Sequence, residues 1–395
     1  MGSMDKFVER LQNFGLGVLG LFFFMYTLGS IYGSEDAYLT IFYVAMVLAI
    51  GILFKEQRIL GQYKRYYVWQ LTFISFMFMT VVYTVEPNPI PYVTVMFKIL
   101  LKVTTVAIIC RDFNGVKKLM LCLAFVGVAV YVALYTRGLL DVVGRLGNDI
   151  MGNANSFGLM ATVFYTGAAV TIFNTNNNFL KYFLIVALIL DLHMMVLTGG
   201  RKFLLYAIVF LFATLLTKGK ISVSRLILIS IIIGTVVMVG SYYIMHNSYL
   251  YDAIGYRFDG MVSGKAEGVD DQEYLMHKGI ELFAQKPILG WGVNGYAKAS
   301  STGFYAHSNY VELLADYGII GTLLYYSNLI WCAVVMWRNR RNKDEEFSCF
   351  FPMLISILVL EIFAITFNQT AYIPLFIMLI TGYCYRLSKS KKKME

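Results

Sequence analysis

Charge is scarce in this sequence: Asp, Glu, Lys and Arg make up 14% of its 395 residues, against 58% apolar ones. That balance excludes a soluble globular domain and describes an all-α polytopic membrane protein. The period-two alternation that a membrane barrel requires is absent. The five cysteines, Cys110, Cys122, Cys332, Cys349 and Cys384, fall in or near apolar runs and match no zinc or redox spacing. They read as small packing residues and imply no disulfide. No P-loop, dinucleotide fingerprint, internal repeat or soluble catalytic domain is visible, and no basic aromatic motif speaks for nucleic acid. Histidine is rarer still, at 4 residues, so each can be weighed singly.

What the chain holds instead is apolar runs longer than the ~18 residues that separate a spanning helix from a buried soluble one. About 12 spans are read along it: Phe14–Tyr32, Tyr38–Phe54, Tyr67–Val85, Tyr92–Cys110, Lys117–Tyr135, Asn155–Phe173, Phe179–Thr198, Phe203–Thr217, Val223–Met245, Tyr310–Trp337, Cys349–Phe367 and Tyr372–Arg386. Residues 1–245 thus carry nine spans, 246–306 a large loop, and 307–395 three spans and a basic tail, all within one membrane domain. Met1-Gly2-Ser3 resembles a cloning scar before a native Met4, and no cleavable signal peptide is expected where the first span can serve as the insertion signal.

Roughly two thirds of the 33 basic residues fall in alternate loops and at both termini, which the positive-inside rule assigns to the cytoplasm. The net charge of +9 is then a matter of topology. On the opposite, outer side lie Arg137, Arg145, Arg201, Lys202 and Arg257. Guanidinium groups there suit an anionic ligand, since the planar fork matches phosphate. Arg137 and Arg145 have the alternative of pairing with Asp141, Asp149, Asp252 or Asp259. Arg201 and Lys202 follow the Thr198-Gly199-Gly200 turn at the start of a span, where free N–H groups and two cations make an anion site; snorkelling to the interface is the other reading.

In the large loop, Leu275, Met276, Ile280, Leu282 and Phe283 share one helical face, so Gln272–Gln285 is expected to be an amphipathic helix on the membrane or over a cavity. Gly264–Asp271 reads as a mobile cover, and Pro287, Gly290, Gly292 and Gly295 impose turns. Aromatic residues such as Tyr256, Trp291, Tyr296 and Tyr305 argue against disorder and suit stacking on sugars. His307 ends this segment at a membrane border, where polarity is costly unless used or paired. His193 reads as paired with Asp191 inside a span, and His246 and His277 as solvated. Lys98 and Lys102, one turn apart on one face of a span, either line a cavity and hold phosphate or pair with Glu361. Asp316 and Glu312 are expected to orient His307 or to pair with an outer Arg.

Several motifs in this region resemble the bacterial O-antigen ligase and polysaccharide polymerase superfamily: Arg257 in the loop, Pro287-Ile288-Leu289-Gly290-Trp291-Gly292, His307-Ser308-Asn309-Tyr310, and Leu314-Ala315-Asp316-Tyr317-Gly318-Ile319-Ile320-Gly321. Thr198-Gly199-Gly200-Arg201 is similar to the family's small-small-Arg turn, and Gly152–Gly158 to its Asn-bearing start of a span. The likeness covers roughly Gly144 to Tyr326. It implies a GT-C-like membrane glycosyltransferase of a bacterial inner membrane, with both termini cytoplasmic and the site facing outward. Its substrate would be an oligosaccharide on undecaprenyl diphosphate, with no metal or nucleotide sugar as cofactor. A chain-length regulator is a partner that the resemblance leaves open.

Displacing a diphosphate from an anomeric carbon needs cations for the leaving group and one base near neutral pKa. Arg201 and Arg257, with Lys202 assisting, are the expected diphosphate ligands. His307 is the expected base, or orients the acceptor hydroxyl, in a single inverting displacement. Lys98, Lys102, Asn309, Tyr310, Asp316, Glu361 and Arg145 are candidates for lining the cavity. The expected activity is polymerisation onto another lipid-linked repeat unit; ligation to a different acceptor and lipid-linked oligosaccharide transport are the alternatives, the last predicting inverted repeats and broken helices.

Overall fold

The computed structural model describes residues 3–32, 35–140, 145–218, 269–341, 344–368 and 373–391, with Tyr242, His246, Ser248 and Tyr251. Among these, every regular element is helical. The helices are α1 (Ser3–Tyr32), α2 (Glu35–Lys55), α3 (Lys64–Thr80), α4 (Ile90–Cys110), α5 (Phe113–Thr136), α6 (Asn148–Met151), α7 (Ala154–Asn174), α8 (Asn178–Leu197), α9 (Arg201–Lys218), α10 (Val269–Gln285), α11 (Gly295–Ala299), α12 (Asn309–Arg338), α13 (Glu345–Leu360) and α14 (Ile373–Lys391). Short polar side chains start several of them: Asp112 accepts from the Gly115 amide at 2.8 Å, Asn177 from Leu180 and Asp344 from Phe347, each filling an otherwise open N-terminal donor.

Seven of the described helices are long and apolar enough to cross a membrane: α1, α2, α4, α5, α7, α8 and α12. Helices α3, α9, α13 and α14 coincide with expected spans but fall short of that measure. Val223–Met245 lies outside the described residues apart from Tyr242. Two expected spans end early. Helix α3 stops at Thr80, where the chain turns to meet the large loop: the Tyr83 hydroxyl donates to the Leu289 carbonyl and Thr84 Oγ1 to the Val293 carbonyl. Helix α13 stops at Leu360 rather than running to Phe367, because Asn309 Oδ1 accepts from the Thr366 and Phe367 amides and so holds 361–367 as a turn.

α1 packs on α2 and α5, α5 on α7, α7 on α8, and α9 on α13. Apolar burial gains little between helices in lipid, so close packing and internal polar bonds carry the association. An aromatic cluster of Phe73, Tyr317, Tyr325 and Phe367, with ring centroids 5.4 to 6.4 Å apart, joins α3, α12 and the turn before α14. Trp69 adds an indole bond to the Leu324 and Tyr325 carbonyls.

The amphipathic helix α10 forms, but it seats on protein. Leu275, Met276 and Leu282 pack with Tyr296, Ala306, Val311 and Ala315 against the start of α12. Ile280, assigned by spacing to that face, is 51% exposed, because the buried stripe is narrower than the sequence pattern suggested.

Candidate active site

Two of the sequence motifs form one clasp. The Trp291 amide donates to the Ala315 carbonyl at 2.9 Å and Gly292 to Asp316 at 2.7 Å, while Ile319 donates to Pro287 and Ile320 to Ile288. Helix α12 is broken at Gly318 (φ 61°, ψ −165°) to receive them, and the freed backbone groups of the break are satisfied by the incoming loop. Asp316 Oδ1 accepts from the Tyr296 amide at 2.6 Å. The clasp is tied to the α3–α4 turn through Glu86, whose Oε2 accepts from Asn294 at 2.6 Å and faces Lys298 at 3.8 Å.

This frame delivers residues 305–308 to the start of α12. Glu312, in the first turn of the helix, reaches back so that Oε2 accepts from the Ala306 amide at 2.6 Å. His307 follows with φ 58°, a left-handed conformation uncommon for a non-glycine residue. Its ring lies 4.4 Å from the Tyr305 ring, tilted by 45°. The Tyr305 hydroxyl accepts from Asn155 Nδ2 at 2.8 Å, and Asn155 Oδ1 accepts from Arg145 at 3.3 Å. Arg145 Nε donates to the Thr198 carbonyl at 2.7 Å, and Leu146 bonds to Leu197. Four segments are thereby joined at one end of the bundle: the loop before α6, the start of α7, the α8–α9 turn and the chain before α12.

Arg201 and Lys202 open α9 directly after that turn. Gly158 lets α7 close on α9, since a Cβ there would run into the Phe203 ring. The His307 imidazole is half-buried, and its pKa is pushed down to about 4, first by burial and then by the positive charges of Lys202 and Arg145. The ring is therefore neutral at pH 7 in a cationic surrounding. Among the described residues its Nδ1 is buried with no hydrogen-bond partner, and no group of three His, Cys, Asp or Glu side chains fits a metal ion.

The expected site residues are thus partly assembled. His307, Lys202 and Arg145 converge, with Arg201 beside them in sequence. Arg257 lies outside the described residues, as do 264–268 of the expected cover, whose last three residues begin α10. Glu312 and Asp316 do not orient the imidazole; both are spent on backbone amides. Asn309 is fully buried and serves as a strut, accepting from Thr366 and Phe367 and donating to the Tyr326 hydroxyl at 3.1 Å. Tyr310 stacks on Tyr326 at 4.6 Å and donates to the Leu358 carbonyl. Glu361 is buried, bonded to Tyr325 at 3.1 Å and Thr366 at 2.5 Å. It therefore does not pair with Lys98 or Lys102, which line a separate groove.

The expected His193 and Asp191 pair does not form, because residues two apart on a helix face different ways. His193 Nδ1 instead bonds the Tyr131 hydroxyl at 3.0 Å. Sequence reasoning placed neither Asn155 nor Tyr305 in the site; the Asn-bearing start of α7 and the aromatic two residues before His307 were the available signals.

Residues 186–326 match the family model Wzy_C, described as O-antigen ligase. The match takes in Arg201, Lys202, the clasp motifs and His307, and leaves Arg145 and Asn155 outside it, 41 and 31 positions before its start. No curated protein matches the chain. Over residues 186–326 the chain is therefore similar to the O-antigen ligase family, as its sequence motifs lead one to expect.

Proposed function

We propose that this protein is a membrane polysaccharide polymerase that transfers a growing glycan from undecaprenyl diphosphate to the terminal sugar hydroxyl of another lipid-linked repeat unit. The carrying observation is the convergence of Arg145, Lys202 and the Asn155–Tyr305–His307 chain within a superfamily domain of glycosyltransferase-like membrane enzymes. Lys202 and Arg201, with Arg257, bind the diphosphate and neutralise the leaving group. Neutral His307 accepts the acceptor hydroxyl's proton, or orients that hydroxyl, as it attacks the anomeric carbon with inversion. The cations that depress the imidazole pKa are those a diphosphate would neutralise, so donor binding raises its basicity when a base is needed. The site faces the cell exterior or periplasm, and the chain needs no metal for this displacement.

Ligation to a different acceptor is the second reading, favoured by the description of the matched family. The test is purified protein with undecaprenyl-diphosphate-linked repeat units, without metal or nucleotide sugar, alongside Arg201→Ala, Arg257→Ala and His307→Ala. A glycan ladder lost in the variants supports the polymerase. Transfer only when a separate lipid acceptor is added supports ligation, and the absence of both products favours transport. Near-normal turnover in His307→Ala overturns the base assignment.

A further inference from the structure

A groove of about 770 Å³ runs between α1, α2, α4 and α6, away from the His307 cluster. Lys98 and Lys102 project into it from α4, with Tyr26, Tyr38, Phe42 and Leu101 among its walls. Lys102 Nζ stands 5.3 Å from the Tyr26 ring centroid. Among the described residues the groove has no acidic lining and neither lysine makes a salt bridge. Taking ~1.5 Å per residue from Ile90, the two cations lie about 12 and 18 Å along a helix long enough to span a bilayer. Two like charges at that depth are costly, and in a membrane segment they mark a ligand path unless paired. One aromatic ring against Lys102 offsets little of this.

We infer that the groove is a second lipid site, holding the diphosphate of the lipid-linked acceptor between Lys98 and Lys102 with its isoprenoid chain along the apolar wall. Charge complementarity decides for an anionic lipid, and the wall decides against free phosphate. The far wall is Ile150, Met151 and Gly152. Three residues further on, Asn155 bonds to Tyr305 beside His307. A lipid seated here therefore leads its glycan toward the cluster along the segment that builds it. The inference rests on the polymerase reading, in which both substrates are lipid-linked.

The experiment measures retention of undecaprenyl diphosphate, carrying no glycan, by the full chain in phosphatidylcholine nanodiscs by native mass spectrometry. The variants are Lys98→Met with Lys102→Met, the matched Arg pair, and Leu101→Trp, which fills the groove and leaves the charges. All are made in an Arg201→Ala, Lys202→Met and Arg257→Ala background to silence the other diphosphate site. Binding about tenfold weaker in the Met pair, restored by Arg and weakened again by Leu101→Trp, is expected. Removing charge from an apolar span does not threaten the fold, so a loss of binding is not a loss of structure. Unchanged binding in both the Met pair and Leu101→Trp overturns the inference. So does equal displacement by phosphatidylglycerol, which would make this a general anionic-lipid site. Because binding is read without turnover, failure of the polymerase reading shows separately, as absence of glycan product from a protein whose groove still binds.

Discussion

Gly290 and Gly318 meet backbone to backbone. A Cβ on Gly290 would lie 2.4 Å from the Asp316 carbonyl oxygen and 2.6 Å from the Gly318 nitrogen, and one on Gly318 would lie 2.4 Å from the Ile288 carbonyl. Both have positive φ, 68° and 61°, a region costly for any residue with a side chain. The two glycine motifs, 28 positions apart in the sequence, are thus the two halves of one break in α12.

Gly290→Ala and Gly318→Ala should each destabilise the protein by about 1–3 kcal/mol or more, lowering its thermal midpoint in detergent. The double variant should lose less than the sum, because one contact is broken twice. A midpoint unmoved by either change would show that the clasp tolerates a Cβ and is not closed as described.

His307 has a folded pKa near 4, below its ordinary 6.5. A group depressed in this way contributes stability that is fully present above about 6.5 and is lost as pH falls toward about 4. Activity that depends on neutral imidazole should therefore be level from pH 8 to about 5 and decline below, and the acid limb should vanish from the residual rate of His307→Gln. A rate that halves near pH 6.5 in the free enzyme would contradict the depressed value.

Lys202→Met removes one of the two cations that hold the imidazole pKa down. Two effects of opposite sign should follow. The His307 pKa should rise, seen by nitrogen NMR of labelled histidine, and retention of undecaprenyl diphosphate should weaken. Loss of binding without any rise in pKa would separate Lys202 from His307.

Glu312 accepts from the buried Ala306 amide. Glu312→Ala leaves that donor unsatisfied, at a cost of about 1–3 kcal/mol, and should lower both the thermal midpoint and glycan formation by releasing the 305–308 segment. Glu312→Gln keeps an acceptor oxygen and should restore most of both. If Gln is as damaging as Ala, charge rather than the hydrogen bond is what Glu312 supplies.

Composition alone was enough to set the class of this protein. Runs such as Ala37–Lys55 and Asn178–Leu197 are apolar over a bilayer's thickness, and in lipid a backbone of that kind has to close its own hydrogen bonds as helix. The sequence also marked the motif residues, because Gly290, Gly318 and His307 stand in positions where few other side chains do the same work. The partnerships came from the packing of the helices. Whether Glu361 met Lys98 or Tyr325, whether Glu312 held an imidazole or an amide, and that Asn155 reached Tyr305, 150 residues on, all depend on where helices that are individually legible come to rest. Side-chain bonds between distant segments leave no local periodicity in a sequence, and a carboxylate next to a histidine in the chain is bound by whichever donor the fold brings nearest.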